Sequence, residues 1–437
     1  MISSGVNTRE LILEILLQIE EEGEHSHIAI RNALSKYQFL PKQERSFITR
    51  VCEGTLEYRI YIDYVIDSFS KVSVNKMKPQ IREILRSAVY QLKFMDSVPD
   101  SATCNEAVKL AVRRGLGGLK GFVNGVLRNI SRNKDQIRYP LEEKEPEEYL
   151  SVTCSVPLWI VQQWTQEYGY DRTKQMCQSF LESAPLSIRT NLQQTTPQHL
   201  KKKLEKEGVS VEENPEFSYA FFISGYDRLD ALEAFCEGLF SVQDMASMYV
   251  AEAADVQPGA YVIDVCAAPG GKSMHLAEKL QGTGMVEARD LTEYKVDLME
   301  ENIARCQLKN MKAVQWDATI KDADSVEKAD VVIADLPCSG LGVMGRKPDI
   351  RYRVTPEDVQ ALAALQRKIL SVVQEYVKPG GTLVYSTCTV TRAENDGNVQ
   401  WFGEQYPEFQ FENMRQLYPG EGRHDGFFIA KWKKQTV

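Results

Sequence analysis

From Tyr261 onward, strand-length apolar runs alternate with helix-length segments, and this pattern limits the fold more than any other feature of the chain. The runs fall at 261–265, 285–289, 313–316, 331–334 and 382–386; the segments between them include 272–280, 292–306 and 356–376. The last segment opens with Thr355 at the capping position and Pro356 at the first helical one, where a proline ring suits the backbone and its missing N–H leaves no bond unmade. Parallel strands cannot be joined by a tight turn and need a crossover of a dozen or more residues, usually a helix. The alternation therefore predicts an α/β domain with a doubly wound, mostly parallel sheet over 241–437. In such sheets ligands collect beyond the carboxyl ends of the strands, so the residues closing each run are the first candidates for chemistry.

The first run leads into Cys266, Ala267, Ala268, Pro269, Gly270, Gly271, Lys272 and Ser273, and then a helix. Two chemistries compete for this loop. It nearly matches the phosphate-cradling pattern G-x-x-x-x-G-K-[ST], and 331–335 resembles the acidic strand that would hold magnesium. Against a triphosphate, Cys266 stands where the first glycine belongs, and Asp264 places a carboxylate just ahead of the loop. Asp290 closes the second run, where a carboxylate can accept two ribose hydroxyls. Asp317 closes the third and is placed to accept from an adenine amino group. Acids on both flanks suit a cationic ligand that carries a ribose. S-adenosylmethionine, with its sulfonium, ammonium and free ribose hydroxyls, meets both conditions. Gly270 and Gly271 let backbone approach such a ligand more closely than a side chain permits.

The nine cysteines include no Cys-x-x-Cys pair, which argues against a zinc site and a disulfide framework, and no metal is expected. Two of them sit just past run ends in the same sheet. Cys338 lies in Asp335-Leu-Pro-Cys-Ser-Gly340, and Cys388 in Tyr385-Ser-Thr-Cys-Thr389 after a turn at Lys378-Pro-Gly-Gly381. Cysteines are mostly buried as small apolar residues, and packing alone does not call for two at a catalytic edge. Carbon 5 of cytosine is a poor nucleophile; a thiolate adding to carbon 6 turns the ring into an enamine whose carbon 5 can attack a sulfonium methyl. A group near ring nitrogen 3 and the exocyclic amine must then stabilise the ring, and Asp335 is the candidate. Loss of the carbon 5 proton and expulsion of the thiol give a second cysteine a task. The base must leave any stack for this chemistry to proceed.

Residues 1–140 read as an all-α domain of five to seven helices, beginning with a capping pattern at Asn7-Thr-Arg-Glu10. The acidic run 142–148 reads as a linker, and 141–240 as that linker plus a small α+β module with strands at 186–192 and 219–223. The net charge of -9 is uneven: +5 over residues 1–140 and -14 over the rest. Positions 109–138 carry Lys109, Arg113, Arg114, Lys120, Arg128, Arg132, Lys134 and Arg138 against one acid, Asp135. Such a patch can neutralise phosphates, although a solvated helical face is the plainer reading. With 43% hydrophobic and 26% charged residues, a disordered chain is excluded. The longest uncharged stretch, 149–166, is too polar to span a membrane. The N-terminus lacks the pattern of a secretory signal, so a cytoplasmic setting is expected.

At these motifs the sequence resembles the RNA 5-cytosine methyltransferases of the NOL/NOP/Sun family. The resemblance rests on Asp264-Val-Cys-Ala-Ala-Pro-Gly-Gly-Lys272, Asp290, Asp317, Asp335-Leu-Pro-Cys-Ser-Gly340, Ser386-Thr-Cys388 and Asp425-Gly-Phe-Phe-Ile-Ala430. The first 140 residues resemble NusB-type RNA-binding domains through Leu85-Arg-Ser-Ala-Val-Tyr-Gln-Leu92, Asn105-Glu-Ala-Val108 and Phe122-Val-Asn-Gly-Val-Leu127, a fusion typical of the RsmB (Sun/Fmu) branch. The resemblance implies a Rossmann-like domain that uses S-adenosylmethionine to methylate a cytosine of 16S ribosomal RNA, in a chain expected to be a monomer. It further implies Cys388 as nucleophile, Cys338 as the thiol assisting release, and 266–272, Asp290, Asp317 and Asp335 as the lining of the cofactor site. Leu336, Ala329, Lys295 and Arg289 depart from the family's usual residues without removing a catalytic group. Competing expectations are a transfer RNA substrate, a non-catalytic RNA-binding assembly factor, and a nucleoside triphosphatase.

Overall fold

A computed structural model describes residues 6–182 and 185–436. They form two compact units: one through Leu181 together with Met344–Arg353, the other comprising Glu182–Val343 and the chain from Val354 on. Among the described residues no helix is long and apolar enough to cross a membrane.

The first unit is helical. Its opening helices are Thr8–Glu21, Ser26–Lys36, Lys42–Glu57, Arg59–Phe69, Pro79–Phe94, Asp100–Arg113 and Lys120–Asn133. Asn7 caps the first of them, its side chain accepting from the backbone N–H groups of Arg9 and Glu10. Pro79–Phe94 lies at the centre, with eleven of its sixteen residues buried; a helix covered on nearly every face belongs in the middle of a bundle. The charges it buries are matched, as buried charge must be. Arg86 grips both oxygens of Asp63 (2.7 and 2.6 Å) and one of Glu83 (2.7 Å). The acidic run read as a linker is in part helix: Pro146 starts Pro146–Thr153, which Leu158–Tyr168 and Tyr170–Ser179 follow in the same unit. Proline in the first turn and two glutamates beside the positive helix end favour that start, and the charge run masked it. Ser26 Oγ donates to the buried Asp349 (2.5 Å), and Arg351 donates to the carbonyls of Ser155 (2.9 Å) and Met344 (3.0 Å).

The second unit carries two sheets. Strands β1 (Leu186–Thr190), β2 (Ser210–Glu213), β3 (Ala220–Ser224) and β4 (Phe240–Val242) form an antiparallel sheet in the order β2-β3-β1-β4. The helix Pro197–Lys206, capped by Thr196, completes its core through Leu200 and Leu204 packed with Ile188, Phe221 and Phe240. β2 and β4 escape a sequence reading because four and three residues are too few for alternation to show.

The larger sheet comprises β5 (Tyr261–Asp264), β6 (Met285–Asp290), β7 (Met311–Gln315), β8 (Ala329–Asp335), β9 (Val377–Thr387), β10 (Phe409–Leu417) and β11 (Phe427–Lys434) in the order β10-β11-β9-β8-β5-β6-β7. β5 to β9 pair in parallel, as the alternation requires, and β11 and β10 add an antiparallel edge. Lys378–Gly381, read as a turn, lies inside β9, where pairing with β8 shifts register between Ala329 and Val331. Chain order reverses at β5: β6 and β7 extend to one side of it, β8 and β9 to the other. Such a switch point opens a crevice beyond the strand ends. It is where the loops after β5 and β8 diverge.

Candidate active site

Five adjacent strands, β7, β6, β5, β8 and β9, carry the expected residues at or just past their ends. The loop after β5 brings the glycines, β6 and the loop after β7 bring Asp290 and Asp317, and β8 and β9 bring Asp335 and the cysteines.

The loop after β5 is held by its own backbone. Ala267 N–H donates to the Arg289 carbonyl (2.8 Å), Gly270 N–H to the Ala267 carbonyl (2.8 Å), and Asn302 donates to the Pro269 carbonyl (3.2 Å). Gly270 has φ +100°, a left-handed conformation that glycine adopts without penalty, and from it the chain turns into the helix Gly271–Lys279. A Cβ built on Gly271 would meet nothing within 4 Å, so the space above this helix start is open. The first N–H groups of the helix have no partner within it. Cys266 faces partly into the core, and burial together with the charges of Asp264, Asp290 and Asp335 pushes its thiol far up.

Asp290 ends β6. Its Oδ2 accepts from Ala268 N–H (3.0 Å), and Oδ1 from Leu291 N–H (2.8 Å) and Lys295 Nζ (3.0 Å). A carboxylate offers about four acceptor positions, so these bonds leave one, and the half-exposed Lys295 can yield another. Asp317 lies two residues beyond β7, and its Oδ1 accepts from the N–H and hydroxyl of Thr319 (2.8 Å each); these bonds hold its carboxyl below the usual range. Leu291 and Ile320, each 58% exposed, offer apolar surface next to these two acids in the chain. Charge, open space and apolar flank together fit S-adenosylmethionine.

Asp264, read as a flank of that ligand, is fully buried. One oxygen accepts from Ser273 Oγ and the other has no hydrogen-bond partner. Burial pushes its carboxyl up to about 7, against the Ser273 bond.

Across the crevice, Cys338 follows β8 and Cys388 follows β9, both partly exposed, with their sulfurs 3.2 Å apart. That is contact, well short of rupture into separate sites and far beyond the ~2.05 Å of a disulfide. The register explains the meeting, because Asp335 of β8 pairs with Ser386 of β9 and the two thiols follow at similar remove. Hydrogen bonding with Cys388, then burial, then the charges of Cys388, Glu394 and Asp335 hold the Cys338 thiol well above its usual range. Asp335 accepts from Ser386 Oγ (2.7 Å) and pairs with Lys272 Nζ (2.7 Å). Lys272 thus reaches back from the glycine turn to the cysteine side, over the Phe427 ring at 5.3 Å. Burial opposes its charge, but Asp335, Cys388 and Asp264 outweigh that and keep it fully protonated.

The C-terminal Asp425-Gly426 motif closes the crevice floor. Gly342 N–H donates to the Cys388 carbonyl (3.1 Å) and Gly426 N–H to the Gly342 carbonyl (2.9 Å). A Cβ on Gly342 would stand 2.2 Å from the Gly426 oxygen, so only glycine permits the approach. Sequence reasoning missed the polar layer below: Ser339, Thr389, Thr391, Glu394, Asn395 and Asn398 are all buried. Polar residues of this kind ordinarily mark a surface, and only the closeness of Glu394 and Asn395 to Cys388 in the chain could have drawn notice to them.

Three family models match successive stretches of the chain. The model for 16S rRNA methyltransferase RsmB/F matches residues 251–433, that for the NusB family residues 6–132, and that for an RsmF/B-like ferredoxin-like domain residues 156–226. The probable ribosomal RNA small subunit methyltransferase B of Bacillus subtilis (strain 168) is 34% identical, over 98% of this chain and 99% of its own. Its counterpart in Synechocystis sp. is 31% identical, over 98% of this chain and 100% of its own. Among solved structures, PH0851 is 27% identical with a TM-score of 0.83, covering 98% of this chain and 99% of that one. A methyltransferase homolog from Pyrococcus horikoshii is 27% identical with a TM-score of 0.58, over 65% of this chain and 97% of its own. With a relative this similar from end to end, the chain belongs to the RsmB/F family of 16S rRNA methyltransferases.

Proposed function

We propose that this enzyme methylates carbon 5 of one cytosine in small-subunit ribosomal RNA, acting as a monomer in the cytoplasm. The observation that carries the reading is the pair of touching thiols at the ends of neighbouring strands, with the Asp335–Lys272 ion pair beside them. When bound, S-adenosylmethionine supplies an electrophilic methyl group. Residues 266–272 with Asp290 and Asp317 hold it, and Asp335 stands between cofactor side and cysteine side.

Cys388 is the nucleophile. The Lys272 ammonium, whose charge couples to the Cys388 sulfur, favours the thiolate that adds to carbon 6. Asp335 faces ring nitrogen 3 and the exocyclic amine and stabilises the ring once the thiolate has added. Cys338, kept as a thiol by its neighbours, serves the later step in which the carbon 5 proton leaves and Cys388 is expelled. Residues 1–140, with their basic patch, hold the RNA together with the β1–β4 module, while the methyltransferase domain of 241–437 carries the reaction.

Single-cysteine variants test the assignment. Cys388→Ala is expected to abolish methyl transfer to ribosomal RNA while still binding S-adenosylmethionine. Cys338→Ala is expected to accumulate a covalent RNA adduct that survives SDS and migrates as a slow band. Methylation by Cys388→Ala, or the slow band in that variant, refutes the nucleophile. Bisulfite sequencing of ribosomal RNA from cells with and without the protein identifies the cytosine.

A further inference from the structure

Beneath the two cysteines lies a carboxylate that the mechanism above leaves idle. Glu394 is fully buried, and a buried carboxylate is tolerated only where its lone pairs are met. Four neutral donors meet them. Oε1 accepts from Ser339 N–H (2.8 Å) and the Gln366 amide (3.1 Å); Oε2 accepts from the hydroxyls of Ser339 (2.5 Å) and Thr391 (2.9 Å). Ser339 follows Cys338 directly and Thr391 stands three residues after Cys388, so one side chain is fastened to both cysteine turns. Ser339 Oγ and Thr389 Oγ1, 2.7 Å apart, tie the turns a second time. Gln366, on the helix Pro356–Val373, also donates to the Pro337 carbonyl (2.8 Å) and braces the Cys338 turn from below. Fully satisfied buried networks of this kind hold a single arrangement.

Resting on the reading of Cys388 as nucleophile and Cys338 as the thiol of release, we propose that Glu394 is a positioning residue: it locks the Cys338 turn to the Cys388 turn at the spacing that lets adduct breakdown follow methyl transfer. It acts through Ser339 and Thr391 and not on the cytosine itself. Its charge has a second effect, helping to keep Cys338 protonated.

The full-length chain, a transcript of small-subunit ribosomal RNA and S-adenosylmethionine suffice for the test. Turnover and SDS-resistant adduct per folded enzyme are measured for Glu394→Ala, Glu394→Gln and Ser339→Ala beside Cys338→Ala. Glu394→Ala is expected to lower turnover at least tenfold while its adduct fraction rises towards that of Cys338→Ala. Glu394→Gln keeps one acceptor oxygen for Ser339 and is expected to recover part of the turnover. Ser339→Ala, which removes one hydroxyl and keeps the backbone donor to Glu394, is expected to show the same shift more weakly. An adduct fraction at the wild-type level in both Glu394→Ala and Ser339→Ala overturns the proposal, whatever the turnover. Should Cys338→Ala itself form no adduct, the reading of the cysteines fails and the proposal falls with it, a failure visible without any Glu394 variant.

Discussion

Asp264 shows how far a residue's task can lie from the one its position suggests. It precedes the glycine turn, yet it is sealed beneath it, with one oxygen bonded to Ser273 and the other unmet. Its carboxyl, at about 7 in the folded chain, sits above an unfolded value near 4. Between those two pH values the folded state keeps a proton that the unfolded state releases, so stability falls as pH rises through the window and levels off above it. A shift of this size corresponds to roughly 4 kcal/mol at the plateau. Asparagine keeps an acceptor for Ser273 and has no charge to desolvate. Asp264→Asn is therefore expected to raise the melting temperature, more at pH 8 than at pH 5. Parallel melting profiles for the two proteins across that range would show that Asp264 is not the group responsible.

At the level of elements, β5 to β9 were legible because each has several apolar residues and all but β7 are followed by a helix. β10 and β11 were not: six consecutive residues of β10, Gln410–Arg415, are exposed on the sheet edge and carry no alternation. The cysteines and acids were readable as a set because strand ends gather at one crevice, whereas the layer around Glu394 was hidden by its polarity. β1 illustrates what spacing alone conceals. Arg189, and beyond the strand Asn191 and Gln193, recur at every second residue and reach the helices behind the cofactor loop. Arg189 grips both oxygens of Glu278 (3.1 and 2.6 Å) and donates to the Gly271 carbonyl (3.1 Å); Asn191 donates to the Cys306 carbonyl (3.0 Å) and Gln193 to the Ala277 carbonyl (2.7 Å). The small sheet is thereby clamped to the helix that starts at the glycine turn. Removing one partner of such a buried pair leaves the other charge unmet, at about 3–5 kcal/mol. Arg189→Met is expected to lose stability on that scale in urea denaturation, and Arg189→Met combined with Glu278→Leu to regain most of it. Additive losses in the double variant would mean that the pair contributes nothing as a pair.

For the molecule as a whole, a net charge of -9 argues against an RNA partner until the charge is divided along the chain, +5 in the first 140 residues and -14 in the rest. The structure divides the basic patch further. Lys109 is paired with Glu106 (2.7 Å), Arg114 with Glu14 (2.8 Å) and Lys134 with Asp100 (3.5 Å). Arg113, Lys120, Arg132 and Arg138 are exposed, with no carboxylate in ion-pair range among the described residues. Unpaired cations on one helical unit are the groups that can release counterions from a phosphate backbone, and each such contact contributes roughly 0.7–0.9 to the slope of log affinity against log salt. Arg113→Ala combined with Arg132→Ala is expected to weaken binding of ribosomal RNA and to reduce that slope by about 1.5, while the affinity for S-adenosylmethionine stays unchanged because the cofactor residues lie in the other unit. The paired Lys109→Ala serves as the comparison, since its charge is already neutralised by Glu106 and its loss should alter the slope far less. Equal slopes for all three proteins would leave the patch as a solvated face and move the search for the RNA grip to the β1–β4 module.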